Sequence, residues 1–151
     1  MPLPLSPTVA LMGEFLLHPG VLVGVETPLA GEHVLLAAHA GGYVHVHNSV
    51  GARVDVEVGA RHTTHSGLFV EGFAGVGYLH TFAASPVCVV EDGAAREITD
   101  AGHPGFMPTL TLGAGWQGAR VAPFVRVQGF GQVPFNHHVL PHAALLLGVR
   151  A

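Results

Sequence analysis

Arg53-Val54-Asp55-Val56-Glu57-Val58-Gly59-Ala60-Arg61 is the stretch on which the fold turns. Every even position is Val or Ala and every odd one is charged or glycine, the period of two that sends successive side chains to opposite faces of a β-strand. A helix would spread those charges around its whole circumference. His33 to His47 repeats the pattern, with Val34, Leu36, Ala38, Ala40, Val44 and Val46 opposite His33, His39, Tyr43, His45 and His47. Between Gly67 and Phe82 the apolar set is Leu68, Val70, Ala74, Val76, Tyr78 and Phe82, opposite Glu71, Gly75, Gly77 and Thr81. The second half continues: Leu110, Leu112 and Trp116 against Thr109 and Thr111, Val125 and Val127 against Arg126 and Gln128, and Leu145, Leu147 and Val149 against Ala144, Gly148 and Arg150. Turn residues such as His18-Pro19-Gly20, Ala30-Gly31-Glu32, Asn48-Ser49-Val50-Gly51, Ser66-Gly67 and Gln117-Gly118 punctuate these runs. Eight strands are predicted, near 8–18, 20–28, 33–47, 52–65, 67–82, 107–117, 119–133 and 140–150, with one long charged connection over 83–106. Residues 8–18 are apolar on both faces and are read as a strand, with a short amphipathic helix as the alternative.

The chain is 151 residues and 15.6 kDa, room for one domain. Charged residues make up 11% of it, against roughly 25% in an average soluble domain. Hydrophobic residues reach 49% and mean hydropathy is +0.46, yet no uninterrupted apolar run is long enough for a membrane helix. So many buriable side chains exclude disorder. Six Arg, no Lys and a net charge of −4 exclude the basic footprint of a nucleic-acid binder. Cys88 is the single cysteine, so no internal disulfide forms. Residues 1–17 lack the positive start of a secretory signal, so either the numbering starts at a mature or engineered terminus or the protein is not exported by that route.

Eight hairpin-linked strands close into an antiparallel up-and-down β-barrel, which removes unpaired edges. A soluble barrel keeps its apolar face inside; a transmembrane barrel turns it to lipid. A water-facing surface carries charge freely, and these strands hold no Lys and few charges, so the membrane reading is favoured over a soluble small-ligand barrel. The longer connections, 83–106 and 134–139, fall on one rim, as external loops do in bacterial outer-membrane barrels. They are the expected contact surface for a protein partner, with outer-membrane lipid around the wall. The lumen is then expected to be polar and to hold Glu26, Asp55, Glu57 and Glu71 with Arg53, Arg61, Arg126 and Arg150, an ion-paired plug in a barrel only wide enough for side chains. Eight of the sixteen Asp, Glu and Arg residues map there, and five more lie in 83–106.

Other chemistry is weaker. His45 and His47 share a strand face and His137-His138 lie in a loop, but no HExxH or CxxC motif supplies the three or four convergent ligands of a zinc site, and neither metal nor cofactor is expected. Gly72 to Gly77 lies inside a strand, which excludes a dinucleotide loop. Phe15, Tyr78, Phe82, Trp116 and Phe124 are too few for an aromatic belt. No GxSxG motif is present, and Ser85 with His80 are the candidates for a lipid-modifying hydrolase at the rim.

The phrases His18-Pro19-Gly20, Gly59-Ala60-Arg61-His62-Thr63, Gly67-Leu68-Phe69-Val70-Glu71, Gly75-Val76-Gly77-Tyr78-Leu79-His80-Thr81-Phe82, Pro134-Phe135-Asn136 and Leu140-Pro141-His142 resemble a family of small outer-membrane β-barrel proteins of Gram-negative bacteria. The resemblance implies eight antiparallel strands, export to the outer membrane and no assigned activity. In size the chain is also similar to the lipid A deacylases, whose catalytic His and Ser share a late strand. Val125 to Gln132 holds neither residue, so that activity does not carry over.

Overall fold

The computed structural model describes residues 4–31, 33–91, 93–99, 101–135 and 138–151. Its strands are β1 (Ser6–Glu14), β2 (His18–Ala30), β3 (Val34–His45), β4 (Ser49–Thr63), β5 (Leu68–Ala83), β6 (Val87–Glu91), β7 (Ala94–Ile98), β8 (His103–Trp116), β9 (Ala122–Phe135) and β10 (His138–Arg150). Eight close an antiparallel barrel in the order β1-β10-β9-β8-β5-β4-β3-β2, while β6 and β7 form a separate hairpin. Closure comes from pairing Thr8–Glu14 of β1 with Ala144–Arg150 of β10, so both chain ends lie at one rim. The barrel strands are nine to sixteen residues long, enough to cross a bilayer when tilted.

Several boundaries differ from expectation. The first strand ends at Glu14, and the turn expected at His18-Pro19-Gly20 is strand instead. Phe15, Leu16 and Leu17 make that turn, with Phe15 and Leu16 at φ 45° and 65°. Left-handed backbone costs a residue with a Cβ about 1–2 kcal/mol, so nothing in this local sequence announces a turn. The 83–106 connection is shorter and more ordered than read: β5 runs to Ala83, β8 starts at His103, and β6–β7 lies between them. Val87 to Val90 alternates as a short strand should, and Gly93 (φ 79°) turns the hairpin. The 134–139 loop contracts because β9 extends to Phe135 and β10 begins at His138; Asn136 and His137 lie outside the described residues.

The alternation points the way the membrane reading requires. Val54, Val56, Val58, Leu110, Leu112, Val125, Val127 and Leu147 face out, while Glu26, Arg53, Asp55, Glu57, Glu71 and Arg126 are buried inside. The interior is less polar than expected. Leu22, Leu79, Met107, Phe69, Phe124, Phe130 and Leu146 form an inward apolar cluster with Tyr43 and Met12. Close packing requires the space between the charged pairs to be filled, and apolar side chains fill it without needing hydrogen-bond partners of their own.

Aromatic side chains are admitted to the narrow lumen by glycines directly across the ladder. Tyr43 faces Gly51, Phe73 faces Gly59, Phe69 faces Gly115 and Phe124 faces Gly148. A Cβ on each glycine would stand 2.4–2.6 Å from the facing ring, so each ring lies flat over the bare backbone of its partner. Gly115→Leu would drive into Phe69 and is expected to destabilise the barrel by about 1–3 kcal/mol. Urea unfolding in detergent micelles measures it, with Gly129→Ala, where the added Cβ would meet only the Leu110 carbonyl at 4.0 Å, as a control for handling.

Candidate functional site

The lumen carries two ion-pair networks. Nearer the rim that holds the chain ends, Glu26 accepts from Arg126 Nη2 at 2.5 Å, Arg61 Nη2 at 2.6 Å and Arg150 Nη1 at 3.4 Å. Glu71 accepts from Arg126 Nε at 2.6 Å and Arg61 Nε at 2.7 Å, and Arg150 also donates to Gln117 Oε1 at 2.5 Å. Midway along the barrel, Arg53 donates from Nε and Nη2 to Asp55 Oδ2 at 3.2 and 2.7 Å, and from Nη1 to Gln128 Oε1 at 2.8 Å. Glu57 accepts from Thr111 Oγ1 at 2.9 Å and Gln128 Nε2 at 3.2 Å. The first network holds one more arginine than acids and the second one more acid, so together they are neutral.

Each arginine of these networks also lies over a ring. Arg126 sits 4.1 Å from the Phe124 centroid and 5.3 Å from that of Phe73, Arg61 and Arg150 share Phe69, and Arg53 covers Phe130. These contacts are worth more when desolvated. For Arg61, Arg126 and Arg150 the order of construction is therefore glycine, ring, guanidinium, carboxylate: the wall leaves room for a ring, the ring gives the cation a face, and the cation anchors the acid; Phe130 under Arg53 faces Thr109 and His142 instead.

All eight lumen residues expected from alternation are brought together in this way. Sequence reasoning left out His39, Thr111 and Gln128 as members of the set, although they share the inward phase. His39 Nδ1 donates to Asp55 Oδ1 at 3.0 Å and lies 4.0 Å from Glu57 Oε2. Ligand atoms of His39, Asp55 and Glu57 all lie within 4.8 Å of one another, the described group with metal-like spacing. Arg53 already occupies Asp55, and Thr111 with Gln128 occupy Glu57, so the protein's own donors take the place of a cation. The histidine candidates do not converge. His45 stacks on His18 at 3.6 Å and accepts from the Asn48 amide, and His47 is exposed on the β3–β4 turn. His138 is exposed at the start of β10, and His137 lies outside the described residues.

A third polar group lies at the distal rim, opposite the chain ends. Glu14 is buried and accepts from His142 Nδ1 at 2.7 Å and from His18 Nδ1. Glu14 and His142 border a cavity of about 490 Å³ that opens at that rim. The hydrolase candidates are arranged differently: Ser85 is exposed in a turn, and His80 has both ring nitrogens engaged, Nδ1 by the Tyr78 hydroxyl at 2.7 Å and Nε2 by the Ala101 carbonyl at 2.9 Å.

No family model matches the chain, and no curated protein matches it. Among solved structures it is similar to the Neisserial surface protein A, with TM-score 0.69, 10% identity, and 97% of this chain and 94% of that one covered. It is also similar to a de novo designed transmembrane β-barrel, with TM-score 0.60, 14% identity, and 99% and 95% covered. The fold is thus that of eight-stranded transmembrane barrels.

Proposed function

We propose that this chain is a structural or accessory component of the bacterial outer membrane, a barrel that spans the bilayer without conducting solutes and presents its distal rim to a partner. The observation that carries the reading is the occupied cross-section. Glu26, Arg53, Asp55, Glu57, Glu71, Arg126 and Gln128 are all buried, and their pairs cross the lumen from wall to wall. Eight strands leave an interior that side chains fill. The apolar outward face supplies the lipid contact, and the β6–β7 hairpin, with exposed Glu91, Glu97 and Arg96, is the part of the rim with charge to offer a protein.

Reconstitution into planar bilayers tests this. The expected result is a current trace indistinguishable from protein-free lipid; reproducible conductance steps would overturn the reading. Fractionation of native membranes checks the location, and recovery in aqueous buffer without detergent would remove it.

A further inference from the structure

The distal cavity has a chemical character separate from the plug beneath it. Its lining includes Glu14, Phe15, Tyr43, Phe82, Gln132 and His142, and no arginine contributes to it. Both Glu14 oxygens accept from imidazole N–H groups, which satisfy the carboxylate without cancelling its charge while the rings are neutral. In the tautomer that donates from Nδ1 to Glu14, His142 carries a lone pair at Nε2, and that buried atom has no protein partner. Gln132 donates from Nε2 to Thr81 Oγ1 at 3.2 Å and to the His103 carbonyl at 3.0 Å, which orients its amide and leaves Oε1 buried and unpartnered as well. The His142 side chain is 9% exposed and Gln132 1%, so these acceptors are built into the wall rather than displayed on a surface. Leaving two buried acceptors unmatched is costly unless something donates to them.

The aromatic members add a second feature. Phe15, Tyr43 and Phe82 place three rings around the same space. Phe15 holds its position in left-handed backbone, followed by Leu16 in the same conformation, at a turn where Asn-Gly would be free of strain. Its ring centroid lies 6.0 Å from that of His142. One carboxylate, two unmatched acceptors, aromatic faces and no cation in the lining describe a receptor for positive charge carried by N–H donors. The geometry points to the distal cavity as a binding site for a small organic cation, a primary ammonium on an apolar or aromatic body. The ammonium is held in the field of Glu14, with the His142 Nε2 and Gln132 Oε1 lone pairs just behind the cavity wall, and the apolar body rests against Phe15 and Phe82.

Calorimetry on the whole barrel in detergent micelles tests the assignment with three probes of one shape: phenethylammonium, phenethyl alcohol and phenylacetate. The cation is expected to bind at least about tenfold more tightly than either of the others. Equal affinities would make the cavity merely apolar, and tighter phenylacetate would make it an anion site; either result overturns the proposal, as does absence of cation binding. Glu14→Gln is expected to remove most of the cation's preference and to leave the alcohol unchanged. Partition of the probe into micelles is the same for both proteins and cancels in that comparison. Should Glu14→Gln not fold, Phe15→Asn carries the test, since asparagine suits the backbone of that turn. It is expected to match or exceed the parent in unfolding midpoint while binding the cation roughly tenfold more weakly. Unchanged cation affinity in Phe15→Asn would overturn the role given to the ring wall.

Discussion

Glu26→Ala is expected to lower the unfolding free energy of the barrel by about 3–5 kcal/mol, the range for breaking a buried ion pair from one side. The size follows from what stays behind. Arg61, Arg126 and Arg150 all donate to Glu26, and without it three guanidinium groups share Glu71. Two of them stack on Phe69, so they cannot move apart without uncovering that ring. Removing Arg126 as well should recover part of the loss, because one cation then leaves with the anion, and a double-mutant cycle reads the coupling directly. Urea midpoints in detergent, with the shift in electrophoretic mobility between folded and heated protein, measure all four corners. A loss below about 1 kcal/mol would place these head groups in water, as at exposed pairs.

Leu110→Arg should cost about 2–4 kcal/mol in a lipid bilayer, the penalty for a cation facing hydrocarbon near the midplane. Leu110 lies midway along β8, opposite Ala74 on one side and Gly129 on the other, and its side chain is 60% exposed in the isolated chain. On a soluble barrel the same exposed position would tolerate arginine within about 0.5 kcal/mol. The substitution therefore distinguishes two solvents for one surface. Unfolding from phosphatidylcholine vesicles is the measurement, and parity with the parent would mean that this face does not meet hydrocarbon.

The wall and the charged plug were legible because one stretch, Arg53 to Arg61, puts acids and bases in a single phase and valines in the other. Once that phase is propagated, Glu26, Glu71, Arg126 and Arg150 fall on the inner face without knowledge of register. What could not be read depended on register or on strain. The glycines beneath Tyr43, Phe69, Phe73 and Phe124 are visible only when strands are aligned, since Phe69 and Gly115, for example, are neighbours across a ladder joining β5 to β8. Glu14 and His142 stand 128 residues apart and meet because β1 closes against β10. The first turn is built from Phe15, Leu16 and Leu17, residues without turn preference, whereas the Pro19-Gly20 signal beside it is spent inside a strand. Val87 to Val90 had the alternation of a short strand and Gly93 a turn residue, but both sat in the most charged part of the chain, where composition suggested a loop.

The pairing of β1 with β10 also constrains how the barrel comes to exist. Until that ladder zips, two rows of backbone N–H and C=O groups have no partner, and hydrocarbon offers none. Strand-by-strand entry into the bilayer would carry both open edges through it. The sequence separation between these strands is nearly the full chain, so the contact that seals the cylinder is among those slowest to find by search. Insertion and closure are therefore coupled: the nascent sheet must curl before or while it sinks, with its edges sheltered by water, headgroups or another protein's strands until the seam is made.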